Sequence, residues 1–164
     1  MTTEIQRLGV VGHPISHSKS PLLHNAAYEV LGLPWKYEAF DIELEQFDSF
    51  LTTTAVSLRG LSVTLPHKVN AFEAATELDL VAERTHSVNT LLFGTRENNS
   101  TISGFNTDVA GIVNALADAG VSSAHHVAVI GGGATASSAV VAAAELGAEH
   151  VSVVVRNPTK AFFR

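Results

Sequence analysis

Apolar residues alternate with polar ones, or recur at helical spacing, along most of the chain. "RLGVVG" (7–12) is a short apolar run ending in glycine and predicts a buried strand. "HPISHSKSP" (13–21), with two prolines and three serines, predicts a loop. The following segment has helix grammar, with Ser20 as N-cap, Pro21 as first helical residue and Gly32 as the stop. Its expected inward stripe is Leu23, Ala26, Ala27, Val30 and Leu31. "WKYEAFDI" (35–42) alternates as a strand, and 43–51 predicts a helix. In "GLSVTLPHK", Leu61, Val63 and Leu65 alternate with Ser62 and Thr64, so a strand spans about 60–65 and stops at Pro66. Short helices are expected at 68–76 and 78–86. A strand at 88–94 should pair through the tip "TRENNS" with a hairpin partner at 101–106.

A helix follows over 106–120, with Ile112, Leu116 and Ala119 as its stripe. Asn106 or Thr107 can cap it, and Asp108 falls in the first turn, where the helix dipole favours an acid. Then come strand "VAVI" (127–130), a glycine-rich turn, an alanine-rich helix and strand "HVSVVV" (150–155). Strands alternating with helices predict an α/β fold with a mostly parallel sheet. The expected organisation is an α/β domain over 1–105 and the start of a Rossmann dinucleotide domain over 106–164.

Composition narrows the function. The 164 residues are 46% hydrophobic, enough for a packed core, and carry a net charge of −6 with no basic stripe, which argues against nucleic acid as a partner. Absence of cysteine excludes disulfides, thiolate metal sites and a cysteine nucleophile. The eight histidines show no metal-ligand spacing. No secretory leader or membrane-length apolar run is visible, so a cytoplasmic location with no membrane partner is expected.

"GGGATA" (131–136) directly after a strand fits G-x-G-x-x-A. The first glycine allows the tight bend, the second lets the backbone approach a pyrophosphate held by the helix N-terminus, and small Ala134 and Ala136 let the helix lie close to the strand; Gly131, Gly132, Gly133, Ala134, Thr135 and Ala136 are the candidate cofactor contacts of the loop. The second strand ends in Arg156 rather than an acid. Arg156, with Asn157 and Lys160 beyond it, suits the 2′-phosphate of NADP better than the bare ribose of NAD. Thr64, Lys68, Asn89 and Asp108 all fall at strand ends or helix starts, where open α/β sheets place their ligand crevice. With Ser18 and Ser20 they suit a polyhydroxylated, anionic small molecule.

"GHPISHSKSPLLHNAA", "SVTLPHK", "SVNTL", "GFNTD" and "GGGATA", in this order, resemble shikimate dehydrogenase from about Gly9 to the C-terminus. The resemblance implies NADPH-dependent reduction of 3-dehydroshikimate to shikimate in aromatic amino-acid biosynthesis. It implies that Ser18 and Ser20 hold the substrate carboxylate, and that Thr64, Asn89 and Asp108 hold the ring hydroxyls. Lys68 resembles the family's catalytic lysine, paired with Asp108. Three positions depart from the family pattern. Ser62 stands where asparagine is common, Ala134 where glycine is usual, and Ser137 where a basic residue is frequent. The family continues with further strands and helices, so this chain is expected to be a C-terminally shortened form. A quinate/shikimate dehydrogenase using NAD, or a shikimate-binding fragment without turnover, stand as alternatives; a homodimer is left open.

Overall fold

The computed structural model describes residues 5–94 and 101–160. The chain divides into two compact units: residues 1–78 with 88–105, and residues 79–87 with 106–164. The expected division at 105/106 kept 79–87 in the first domain, whereas these nine residues group with the second unit.

The first unit is a six-stranded sheet in the order β2-β1-β3-β5-β6-β4. Its strands are β1 (Gln6–Gly12), β2 (Trp35–Asp41), β3 (Gly60–Val63), β4 (Glu77–Leu78), β5 (Thr90–Phe93) and β6 (Ile102–Phe105). β1 pairs in parallel with β2 and β3, and β4 in parallel with β6. β5 runs antiparallel to both β3 and β6, which makes β5 and β6 the expected hairpin. Its tip, 95–100, lies outside the described residues. The helices are α1 (Ser20–Val30), α2 (Phe47–Thr53), entered through a 3-10 turn at Leu44–Gln46, and α3 (Lys68–Ala74).

Alternation along the central strands fills both faces of the sheet. Val10 joins Ile15, Tyr28 and Tyr37 in one buried cluster. The paired residues Val11 and Val63 face the other way and are buried, as are Phe47, Phe50 and Leu61. α1 ends as expected, with Gly32 at φ +64° and the Leu33 N–H reaching back to the Tyr28 carbonyl.

Two expectations about α1 fail. The helix begins at Ser20, so Ser20 is its first residue rather than its cap; Ser18 Oγ instead accepts from the Ser20 N–H at 3.3 Å. The apolar stripe also points outward, with Leu23 68%, Val30 86% and Leu31 68% exposed. Polar contacts set this rotation. Tyr37 lies on edge strand β2, and its N–H and C=O are both claimed by the Asn25 carboxamide at 2.9 Å. His24 stacks on the Tyr37 ring at 4.1 Å. Tyr28 is the buried residue of the helix.

The second unit contains α4 (Leu80–Thr85), α5 (Asp108–Asp118), β7 (His126–Ile130), α6 (Ala134–Glu145) and β8 (His150–Val154). β7 and β8 form a parallel two-stranded sheet. Val109, Val141 and Ala142 make the core, with Val81, Ile112 and Val113 packed against it. Ile112 and Leu116 are half-buried as expected, while Ala119 is exposed at the helix end.

Candidate functional site

In the first unit, backbone hydrogen bonds bring three predicted residues to the end of β3. The Thr64 N–H donates to the Val11 carbonyl at 3.0 Å, extending the β1–β3 pairing one step. The Val63 N–H donates to the Asn89 carbonyl at 2.7 Å, and the Val88 N–H to the Lys68 carbonyl at 3.0 Å. Thr64, Lys68 and Asn89 are therefore tied into one backbone net, and all three are half-buried. Pro66 removes a donor from the strand. The chain then turns, the His67 N–H closes on the Thr64 carbonyl, and Lys68 opens α3.

His67 anchors this turn. It is fully buried, its ring lies 4.7 Å from that of Phe47 at 12°, and its Nε2–H donates to the Ile42 carbonyl at 2.7 Å. Burial holds the imidazole below the ordinary histidine range, against the pull of the Ile42 carbonyl and with a small further push from His13. The turn is thus fastened to the segment after β2 by a neutral ring. A histidine between proline and lysine reads as a solvated turn residue, so sequence reasoning passed over it.

Ser18 and Ser20 stand half-buried at the start of α1, in the segment that follows β1. That segment abuts β3: the His13 N–H donates to the Leu65 carbonyl at 3.0 Å. Ser62, where the family pattern has asparagine, is not left to water. Its Oγ accepts from the Tyr37 hydroxyl at 2.7 Å, and burial raises the Tyr37 phenol above its ordinary value. The serine and the tyrosine together span more of the sheet face than the serine alone.

In the second unit, Asp108 is the first residue of α5, half-buried, and its N–H donates to Asn106 Oδ1 at 2.9 Å. Asn106, not Thr107, supplies the capping oxygen, since Thr107 makes no side-chain cap. Gly131 to Gly133 link β7 to α6, with Gly131 at φ +128°. They line a cleft of about 550 Å³ together with Ile130, Val154, Val155, Arg156 and Asn157. A Cβ at Gly131 or Gly133 would meet nothing within 4 Å, so the bare backbone is open to a ligand there. The α6 N-terminus behind it suits an anion. These features fit a dinucleotide. Ala134, Thr135 and Ala136 form the first turn of α6. Asn157 Oδ1 is taken by the Thr159 N–H and hydroxyl, which leaves its amide group as the part that can serve a ligand. The Lys160 side chain lies outside the described part. Ser137 is buried and its hydroxyl donates to the Thr85 carbonyl at 2.8 Å, so it braces the fold rather than facing a phosphate.

Comparison with known proteins follows the same line. Residues 10–91 match the family described as the shikimate dehydrogenase substrate binding domain. The chain is 34% identical over 154 residues to the shikimate dehydrogenase (NADP(+)) of Methanothermobacter thermautotrophicus, covering 93% of this chain and 53% of that protein. Among solved structures, a shikimate 5-dehydrogenase from Mycobacterium fortuitum superposes with TM-score 0.80 at 38% identity, covering 98% of this chain and 57% of that one. The shikimate 5-dehydrogenase of Thermus thermophilus, solved in complex with NADP(H) and shikimate, gives TM-score 0.82 at 35% identity, covering 95% and 58%. The chain thus spans about half the length of the relatives it matches. With the Thr64–Lys68–Asn89 net falling inside the matched substrate-binding segment, the chain belongs to the shikimate dehydrogenase family.

Proposed function

We propose that this chain carries the substrate-binding unit, and the glycine loop, of an NADP-dependent enzyme interconverting 3-dehydroshikimate and shikimate. The observation that carries the reading is the single backbone net that holds Thr64, Lys68 and Asn89 at the end of β3. Ser18 and Ser20 donate to the substrate carboxylate. Thr64, Asn89 and Asp108 hold the ring hydroxyls. NADPH, when bound, supplies a hydride to the ring carbonyl carbon. Lys68 delivers the proton to the oxygen that gains the negative charge, and Asp108 is the second catalytic group. Gly131 to Ala136, Arg156, Asn157 and Lys160 hold the cofactor, with Arg156 directed at the 2′-phosphate. Of the relatives above, one is named an NADP(+) enzyme and another was solved with NADP(H), which supports that choice over NAD. A cytoplasmic enzyme of biosynthesis fits this chemistry.

A binding-only reading draws support from the share of the relatives that the chain spans. Calorimetric titration with shikimate, then with NADP+ and NAD+, tests both. We expect shikimate binding that is lost in Thr64→Ala and kept in Lys68→Ala, with turnover, where the chain has any, lost in Lys68→Ala. Arg156→Ala should weaken NADP+ by about 10- to 100-fold and leave NAD+ unchanged, the range for a charge-assisted contact. A folded chain that binds no shikimate would overturn the substrate assignment.

A further inference from the structure

We infer that Asn106 is a positioning residue for Asp108, fixing the acid's backbone and locking it to the helix that begins at the glycine loop. The inference rests on the reading of Asp108 as a substrate-binding acid. Asn106 is 3% exposed, and its carboxamide is used at both ends. Oδ1 accepts from the Asp108 N–H at 2.9 Å. Nδ2 donates to Thr85 Oγ1 at 2.8 Å, to the Ser87 carbonyl at 3.0 Å and to Ser138 Oγ at 3.1 Å. The opposite orientation of the amide would set its NH₂ against the Asp108 N–H, donor against donor. Its backbone N–H also points to Asp79 Oδ1 at 3.4 Å. Three helices meet at this one side chain: the end of α4, the start of α5 and the second turn of α6.

The residue type shows what the site needs. Capping α5 alone requires only an accepting oxygen, which serine, threonine or aspartate supply equally well. Only a carboxamide accepts from α5 while donating into α4 and α6. Aspartate would lose both donors and bury a charge two residues from Asp108. Ser138 and Ser137 carry the link to the glycine loop. Ser138 takes the Asn106 donor, and the neighbouring Ser137 donates to the Thr85 carbonyl. Asp108 is therefore held in place by the helix whose N-terminus lies at the dinucleotide cleft.

The test uses the whole chain. Amide hydrogen exchange is measured for Asp108 and for the α5 interior, and shikimate and NADP+ are titrated separately. Three variants are compared: Ser138→Ala, which leaves the cap intact, Asn106→Ser, which keeps a capping oxygen but loses the two-donor NH₂, and Asp108→Asn. Removing one such hydrogen bond should speed Asp108 exchange about fivefold in Ser138→Ala, with the α5 interior unchanged. Shikimate should weaken by a similar factor and NADP+ by less than about twofold. A residue that merely stabilised the fold would speed exchange throughout α5 and shift both ligands alike, and that result overturns the inference. So does wild-type behaviour at Asp108 in both Ser138→Ala and Asn106→Ser. Should Asn106→Ser not fold, Thr85→Val removes another arm of the same group and is read in the same way. If Asp108→Asn binds shikimate as the wild type does, the reading of Asp108 fails. If only Asp108→Asn is impaired, the positioning role fails and the reading stands. In a chain that binds no shikimate, the reading of Asp108 falls with the substrate assignment, and Asp108 exchange then tests only whether Asn106 fixes its backbone.

Discussion

Replacing His67 by phenylalanine should cost stability at neutral pH, and that cost should shrink in acid. Phenylalanine keeps a ring against Phe47, where the present stack has a centroid distance of 4.7 Å. It removes the Nε2–H that donates to the Ile42 carbonyl at 2.7 Å. Stranding a buried carbonyl costs about 1–3 kcal/mol, which sets the expected loss near pH 7.5. Acid adds a second term. His67 Nδ1 is buried with no hydrogen-bond partner among the described residues, so a second proton would enter without an acceptor. The folded pKa is accordingly lowered, chiefly by burial. The unfolded chain protonates this residue near pH 6.5, so below that pH the unfolded state binds more protons than the folded one. Stability is complete above about pH 6.5 and is lost as pH falls through the lower folded value, at up to about 1.4 kcal/mol per pH unit in that window. The His67→Phe variant lacks this window. The assay is urea unfolding followed by fluorescence of Trp35, the single tryptophan, which packs edge-on against Tyr28 in the first unit. The gap between the two proteins should narrow from about pH 8 to about pH 5. A gap that stays constant over that range would refute the reasoning.

Gly12→Ala should cost about 1–3 kcal/mol and weaken shikimate binding, because it overpacks a closed site. Its Cβ would fall 2.5 Å from Thr64 Cγ2 and 3.1 Å from the Leu65 carbonyl oxygen; wild-type unfolding and titration curves would show that the loop has room. Asp79→Ala removes the side chain that caps α4 through the Ala82 N–H at 2.6 Å. A loss of about 1 kcal/mol is expected, visible as faster exchange of the Ala82 amide. Ser87→Ala should be neutral or slightly stabilising in thermal unfolding, since the Ser87 hydroxyl is buried without a partner among the described residues; a loss above about 1 kcal/mol would contradict this.

Much of the first unit was legible because its strands carry the period of two and its loops carry proline and serine. What escaped was set by contacts distant in sequence. The α1 stripe predicts an inward face, yet Asn25 is bound to the backbone of an edge strand 12 residues away, and that pairing turns the stripe outward. β4 is two residues long, too short to show any period. α4 has the composition of any short helix, and nothing local shows that its partners lie in α5 and α6. At the site, Thr64 and Lys68 were readable from the strand that stops at proline. The Tyr37–Ser62 bond was not, since it crosses 25 residues and depends on the register of three strands. Asn106 was readable as a cap, but its donors find acceptors 19 to 32 residues away.

The course of α4 has a consequence for how the protein can be assembled or divided. Residues 79–87 leave the first unit and return to it, so the second unit is made from two stretches of chain. A single cut after Phe105 would strand α4 without the Asn106 and Ser137 groups that satisfy its end. A single cut before Asp79 would remove β5 and β6 from the sheet. During synthesis α4 emerges well before its partners: the Ser137–Thr85 bond waits for 52 residues. Closing so long a loop costs entropy that is recovered only once α6 has formed. The second unit therefore cannot finish folding ahead of its last helix, and dissection into independent halves calls for re-splicing the chain, with 79–87 joined directly to 106–164 and 1–78 to 88–105, rather than a single cleavage.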